Sequence, residues 1–127
     1  MPYTVAVDLD GPIFEVYWES DDFHNSQYRV NKFGKLVHGA KYFLKKLRKD
    51  GHRIIIHTCR TNPTANHGRT VKYLAQLVRD ELNKYGIPFD EVWSGEGKPL
   101  AQLYIDDRAV RFTAWHDVQE FLERDDE

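Results

Sequence analysis

The hydrophobic residues of this chain form short apolar runs that alternate with stretches of helical spacing. Residues 4–9 (TVAVDL) are apolar and β-branched and are followed by the turn formers DGP, a pattern typical of a strand buried on both faces. Residues 53–58 (RIIIHT) predict a second such strand. Residues 91–94 and 103–106 predict two further short strands, so we expect four strands.

Three other segments have apolar residues at the spacing of an amphipathic helix. The first covers residues 38–50, where the basic side chains fall mostly away from the apolar stripe and are expected to face solvent. The second covers residues 71–85 and the third residues 115–122. Strands separated by helical crossovers favour a three-layer α/β/α fold of Rossmann-like type, with a central parallel sheet and right-handed connections.

Two segments lie outside this pattern. Residues 14–36 have no sustained period, and we interpret them as a long excursion, with a small hairpin as one form of it. Its aromatic side chains could stack on a substrate base or sugar, or pack onto the core: Tyr17, Trp18, Phe23, His24 and Tyr28. Residues 123–127 form an acidic tail, and the absence of a linker or repeat predicts one domain over residues 1–127.

Composition narrows the class of protein. The 127 residues are 41% hydrophobic and 30% charged, which is typical of a soluble globular chain, and the net charge of -2 argues against non-specific nucleic-acid binding. A single cysteine, Cys59, allows no intramolecular disulfide and fits a reducing, cytoplasmic location. No apolar run reaches about 18 residues, so we expect neither a membrane helix nor a signal peptide.

Polar side chains gather at the predicted carboxyl ends of the strands, where parallel sheets bind their ligands. They are Asp8 and Asp10 after the first strand, Thr58 after the second, Asp106 and Asp107 after the last, and Lys98 in the loop SGEGKP. Carboxylates beside a lysine and a hydroxyl suit a hard cation such as Mg²⁺ bound together with a phosphate. The cation would offset the repulsion between neighbouring carboxylates.

The same residue types suit covalent phosphoryl transfer. A carboxylate can attack phosphorus to form an aspartyl-phosphate, and a second carboxylate can protonate the leaving alcohol and later accept a proton from water. A lysine, a metal ion and a threonine hydroxyl can stabilise the non-bridging oxygens.

Four segments, in order, resemble the motifs of the haloacid dehalogenase-like (HAD) superfamily: VAVDLDG, IIIHT, the lysine of GKP, and LYIDD. They extend from residue 5 to residue 107. The resemblance implies that Asp8 is the nucleophile and Asp10 the general acid/base. It assigns Mg²⁺ to Asp8, Asp10 (through its backbone carbonyl), Asp106 and Asp107, with Asp107 at the metal or orienting Lys98. It assigns phosphate binding to Thr58 and Lys98.

The resemblance also has departures and gaps. Pro12 stands where the family usually has Thr or Val, and we expect it to stiffen the turn. No full cap domain fits between the motifs, which resembles the minimal capless class, whose open sites admit large substrates or are covered by an oligomer partner. For substrate binding we predict Arg60, His67 and Arg69 of the loop CRTNPTANHGRT, as partners for a second anionic group.

The resulting prediction is a Mg²⁺-dependent phosphomonoesterase that acts on a phosphorylated small metabolite such as a nucleotide or sugar phosphate. One alternative is a phosphatase of 3′ or 5′ nucleic-acid ends, so nucleic acid is expected as a partner only through a phosphorylated end. Another is a non-catalytic phosphate-binding or scaffold protein. A receiver-type signalling domain fits poorly, because no aspartate follows RIIIHT. We expect no membrane partner, and a homo-oligomer is compatible with the sequence.

Overall fold

The computed structural model of the chain describes residues 2–16, 31–62 and 68–125. The described part contains four strands and three α-helices. In chain order these are β1 (Thr4–Asp8), α1 (Ala40–Lys49), β2 (Arg53–His57), a short 3₁₀ helix (Cys59–Thr61), α2 (Val71–Lys84), β3 (Glu91–Val92), β4 (Leu103–Ile105) and α3 (Trp115–Asp125).

The four strands form one parallel sheet in the order β3-β2-β1-β4. In β1, Val5 lies beside Ile54 of β2 and Leu103 of β4, and Asp8 lies beside His57. The carboxyl ends of β1, β2 and β4 therefore meet at one edge of the sheet. The predicted parallel α/β fold is confirmed, and each strand ends one or two residues earlier than its sequence pattern indicated.

One face of the sheet forms the hydrophobic core with α1 and α2. Alternate residues of a strand point to the same face, and those of β1 and β2 pack with Leu44 of α1 and with Val78 and Leu82 of α2. The strand residues concerned are Val5, Val7, Ile54 and Ile56, each at most 2% exposed. Full burial of such a side chain stabilises the fold by roughly 1.5–3 kcal/mol. This packing makes β1 and β2 a firm base for the residues that follow them.

The third helix differs from the other two in its surroundings. Within the ranges given above, α3 contacts no other helix or strand. Three of its apolar residues are exposed, Trp115 (76%), Phe121 and Leu122, and Val118 is half-buried. Residues 126 and 127 of the acidic tail lie outside the described residues. None of the helices in the described part of the chain is both long and apolar enough to cross a membrane.

The excursion after β1 begins and ends as a pair of antiparallel segments. The N–H of Glu15 donates to the carbonyl of Lys35, and the N–H of Val37 donates to the carbonyl of Ile13. Phe14 is fully buried beside Phe33. The base of the excursion thus has the form of a hairpin. The five predicted stacking residues Tyr17, Trp18, Phe23, His24 and Tyr28 lie outside the described residues.

Candidate active site

A cavity of about 780 Å³ lies at the carboxyl edge of the sheet. Residues that follow β1, β2, β3 and β4 all contribute to its wall. They include Asp8, Asp10, Thr58, Cys59, Thr61, Asn62, Trp93, Ser94, Glu96, Asp106 and Arg108, together with His57 at the end of β2 and Val16 from the excursion. The cavity therefore lies where the topology of a parallel sheet predicts a ligand site.

Three carboxylates come together beside the end of β1. One carboxylate oxygen from each of Asp8, Asp106 and Asp107 lies within 4.8 Å of the other two. The pKa of Asp8 is raised from 3.8 to about 7, mainly by burial and further by the negative charges of Asp106, Asp10 and Asp107. The N–H of Leu9, 2.8 Å from Oδ1 of Asp8, acts in the opposite direction. The surroundings of Asp8 thus disfavour its ionised form.

The turn after β1 brings Asp107 into this cluster. Gly11 has a φ of 114°, a value that residues other than glycine rarely adopt. A Cβ atom at this position would overlap the carboxylate of Asp107. Gly11 is therefore required both for the backbone conformation and for the close approach of the last motif to the first.

Pro12 fits this turn without breaking a hydrogen bond. The N–H of Gly11 donates to the carbonyl of Phe14, at 2.7 Å, and the N–H groups of Ile13 and Phe14 both donate to the carbonyl of Leu9. Proline has no N–H to offer, and the turn is closed by the residues on either side of it. Pro12 is thus compatible with the local hydrogen bonding.

Asp10 has a partner that Asp8 lacks. Nε of Arg60 donates to Oδ2 of Asp10 at 2.7 Å, and Nη2 donates to Oδ1 at 3.0 Å. Arg60 is only 1% exposed, and its guanidinium lies 4.3 Å from the ring centre of Phe33 at the base of the excursion. A two-bond pair of this kind fixes the orientation of a carboxylate as well as its position.

The position of Arg60 differs from the sequence prediction. We predicted that it binds a second anionic group of the substrate, but its guanidinium is buried against Asp10. The local cause is Thr58, whose Oγ1 accepts the N–H of Arg60 at 3.1 Å and begins the 3₁₀ helix. This turn directs residue 60 back toward β1, so Arg60 is an ion-pair partner of Asp10 in this structure.

The two predicted phosphate-binding residues differ in burial: Thr58 is buried and Lys98 is exposed. Thr58 is buried, lines the cavity and uses its oxygen as an acceptor, which leaves the hydroxyl proton for donation. Lys98 is exposed, and its Nζ lies 4.0 Å from the ring centre of Tyr104. The charge of Lys98 still acts on His57 in the cavity wall. Burial lowers the pKa of His57, the negative charge of Asp106 raises it, and the positive charge of Lys98 lowers it.

Of the other two residues predicted to bind substrate, one is described and lies away from the cavity. Arg69 is exposed just before α2 and is not part of the cavity wall. His67 lies outside the described residues. Among the described residues of that loop, Cys59, Thr61 and Asn62 line the cavity.

Comparison with known proteins bears on the fold. No protein-family model matches the chain, and no curated protein matches it. A solved structure of a conserved protein from Bacteroides thetaiotaomicron is similar, with 25% identity and a TM-score of 0.54 over 98% of this chain and 93% of that one. A crystal structure of a Vibrio cholerae protein has 24% identity and a TM-score of 0.46 over 96% and 98%. The first likeness extends over nearly the whole fold.

Several cavity residues were not predicted from the sequence. Trp93, Ser94 and Glu96 follow β3 and line the cavity, as does Arg108 after β4. A signal for them existed, because residues just past the end of any parallel strand reach the same edge. The same rule that predicts Asp8, Thr58 and Asp106 at this edge therefore also covers Trp93, Ser94 and Glu96 after β3 and Arg108 after β4.

Proposed function

We propose that this protein is a Mg²⁺-dependent phosphomonoesterase of the HAD type, with Asp8 as nucleophile and Asp10 as general acid/base. The observation that carries the proposal is the meeting of Asp8, Thr58 and Asp106 in one cavity at the ends of three parallel strands. These residues are about 50 positions apart along the chain and share no local structural reason to meet there. Phosphoryl transfer by a carboxylate requires a nucleophile, a hydroxyl donor and anionic metal ligands in such proximity.

The residues present fit a divalent cation. Three carboxylate oxygens lie within 4.8 Å of one another, and burial together with like charge holds the pKa of Asp8 at about 7. Hard oxygen ligands of this number suit Mg²⁺, which in proteins is held by few carboxylates and by substrate phosphate. Asp8, Asp106 and Asp107 would hold the ion. When bound, it would neutralise negative charge on the nucleophile and on the phosphoryl oxygens.

In the first step, a carboxylate oxygen of Asp8 attacks phosphorus, and the bond from phosphorus to the ester oxygen breaks. The departing alcohol oxygen takes the proton that Asp10 carries in the substrate complex, and the ion pair with Arg60 stabilises the carboxylate that results. The product is an aspartyl-phosphate on Asp8. The hydroxyl of Thr58 donates to a non-bridging oxygen of the phosphoryl group.

In the second step, water attacks the phosphorus of the aspartyl-phosphate and gives a proton to the carboxylate of Asp10. The acyl phosphate bond breaks, inorganic phosphate leaves, and both aspartates return to their starting state. Arg60 acts as a positioning residue here, because its two hydrogen bonds fix where the oxygens of Asp10 point. A cytoplasmic location and a homo-oligomer stay predictions from the sequence.

An assay of para-nitrophenyl phosphate hydrolysis tests the proposal. We expect turnover by the wild-type protein with Mg²⁺ and none with EDTA. Asp8→Asn removes the nucleophile and should lower kcat at least about a thousandfold, with an unchanged circular dichroism spectrum. Asp50→Asn is the matched control, since Asp50 is exposed at the end of α1. Full activity in Asp8→Asn would exclude Asp8 as the nucleophile, and no hydrolysis of any phosphomonoester by the wild-type protein would exclude the activity.

A further inference from the structure

A tryptophan that the proposed chemistry does not use forms part of the active-site wall. Trp93 directly follows β3 and lines the same cavity as Asp8 and Thr58. Since β2 separates β1 from β3, the carboxyl ends of β1 and β3 are about 10 Å apart. The cavity of about 780 Å³ extends across this distance and falls within the size range of small-molecule sites. A substrate with its phosphate at Asp8 therefore has room for a second group at Trp93.

The indole ring is held in place by its own loop. Its Nε1 donates to the carbonyl of Gly97 at 2.9 Å, which uses the only polar atom of the side chain. The ring also packs closely on Gly95, where an added Cβ would lie 2.7 Å from Cζ2 of the indole. The backbone carbonyl of Trp93 accepts a hydrogen bond from Oγ1 of Thr61 at 3.3 Å. What Trp93 offers the cavity is a fixed aromatic surface without a free hydrogen-bonding group.

The cavity wall has more acidic than basic side chains, which argues against a second anionic group of the substrate. Glu96 of the same loop lines it together with Asp8, Asp10 and Asp106, and Arg108 is the arginine among the described lining residues. Arg60, which we expected to bind a second anion, is buried against Asp10. The part of the substrate that lies at Trp93 is therefore expected to be uncharged, flat and apolar on its faces.

We infer that Trp93 stacks on the nucleobase of the substrate, so that the substrates are nucleoside phosphomonoesters, either free or at a strand end. This inference rests on the proposed phosphatase function of the same cavity. A ribose would bridge the distance between a phosphate at Asp8 and a base at Trp93, whereas glycerol phosphate carries no group that reaches the ring. Stacking of this kind tolerates any base, because every base has an aromatic face.

The test compares substrates with and without a base. We expect Trp93→Leu to raise the KM for adenosine 3′- or 5′-monophosphate by about tenfold or more, the effect of losing one stacked base. The KM for glycerol phosphate should stay unchanged, and Trp93→Phe should retain most of the affinity for the nucleotides. Trp115→Leu is the matched control, since Trp115 is 76% exposed on α3 and is not part of the cavity wall. A dinucleotide with a terminal phosphate, assayed beside the mononucleotides, distinguishes a strand end from a free nucleotide.

Two kinds of failure are distinguishable. If Trp93→Leu raises the KM for adenosine monophosphate and for glycerol phosphate equally, or raises neither, the stacking role is wrong while the phosphatase function stands. If the wild-type protein hydrolyses neither substrate, the proposed function is wrong. In that case calorimetric titration with adenosine monophosphate decides the inference: binding that Trp93→Leu weakens about tenfold supports it, and the absence of such a difference overturns it.

Discussion

The two aspartates of the first motif, only two residues apart, have opposite electrostatic surroundings. Asp8 ends β1 beside Asp106 and Asp107, and burial with like charge raises its pKa to about 7. Asp10 lies in the following turn and forms two hydrogen bonds with the buried Arg60. Asp8 is therefore surrounded by like charge, whereas Asp10 is paired with a guanidinium. A short sequence motif can therefore supply two carboxylates for two different tasks.

The largest test of this contrast is Asp10→Asn. If Asp10 protonates the leaving group, this variant should lose about 100-fold to 10,000-fold in kcat with an alkyl phosphate, the usual contribution of a general acid. The loss should be much smaller with para-nitrophenyl phosphate, whose leaving group needs no proton. Steady-state kinetics on both substrates measures the ratio. Equal losses on the two substrates would show that Asp10 is not the proton donor.

Arg60→Lys tests how Asp10 is held. Lysine keeps the positive charge but not the two-bond geometry, so we expect kcat to fall by up to about 100-fold, the scale of a small displacement of a catalytic group. The KM should change little. The matched control is Arg53→Lys, because Arg53 of β2 pairs with Glu91 of β3 at the exposed surface. A rise in KM with unchanged kcat would instead favour the anion-binding role that the sequence suggested.

Gly11→Ala tests the contact between the two carboxylate-bearing turns. The φ of 114° and the overlap with the Asp107 carboxylate should together lower the free energy of unfolding by about 1–3 kcal/mol. Urea denaturation measures the change. Gly68→Ala is the control, since Gly68 has a φ of 75° but nothing within 4 Å of its added Cβ. The cost at Gly11 should decrease in an Asp107→Ala background, and an equal cost in both backgrounds would argue against the overlap.

The smallest effect concerns the pH dependence of stability in the metal-free protein. Because folding raises the pKa of Asp8 from 3.8 to about 7, its contribution to stability is complete below about pH 4 and is lost as the pH rises through about 7. Asp8→Asn removes this loss. We expect the variant to exceed the wild type by about 1–2 kcal/mol at pH 8, after allowance for solvent screening, and by little at pH 4. Thermal unfolding in EDTA at the two pH values tests this, and a pH-independent difference would contradict it.

Much of the candidate site could be predicted because it depends on local patterns. A β-branched run that ends in polar residues predicts both a strand and the edge at which its last side chains lie. Asp8, Thr58 and Asp106 were placed in this way, and they line one cavity. Lys98 was harder to place: it comes from a glycine-rich loop whose path no periodicity constrains, and it lies over Tyr104.

The pairing of Arg60 and the place of Trp93 in the cavity wall could not be predicted by the same reasoning. Arg60 pairs with a residue 50 positions earlier, and the sequence carries no local signal for the choice between that partner and a substrate anion. Trp93 carries neither charge nor a known motif, so only its position after β3 marks it.

The sequence by itself determined the four strands, the helices that alternate with them, and the carboxylates at the strand ends. Hydrophobic periodicity and turn residues carry this information because they act within a few positions of the chain. Only the tertiary structure decided which of these charges are compensated. That choice depends on distances and burial among segments far apart in sequence, as between Asp10 and Arg60 or Asp8 and Asp106. Charge compensation in the interior is a property of the packed molecule.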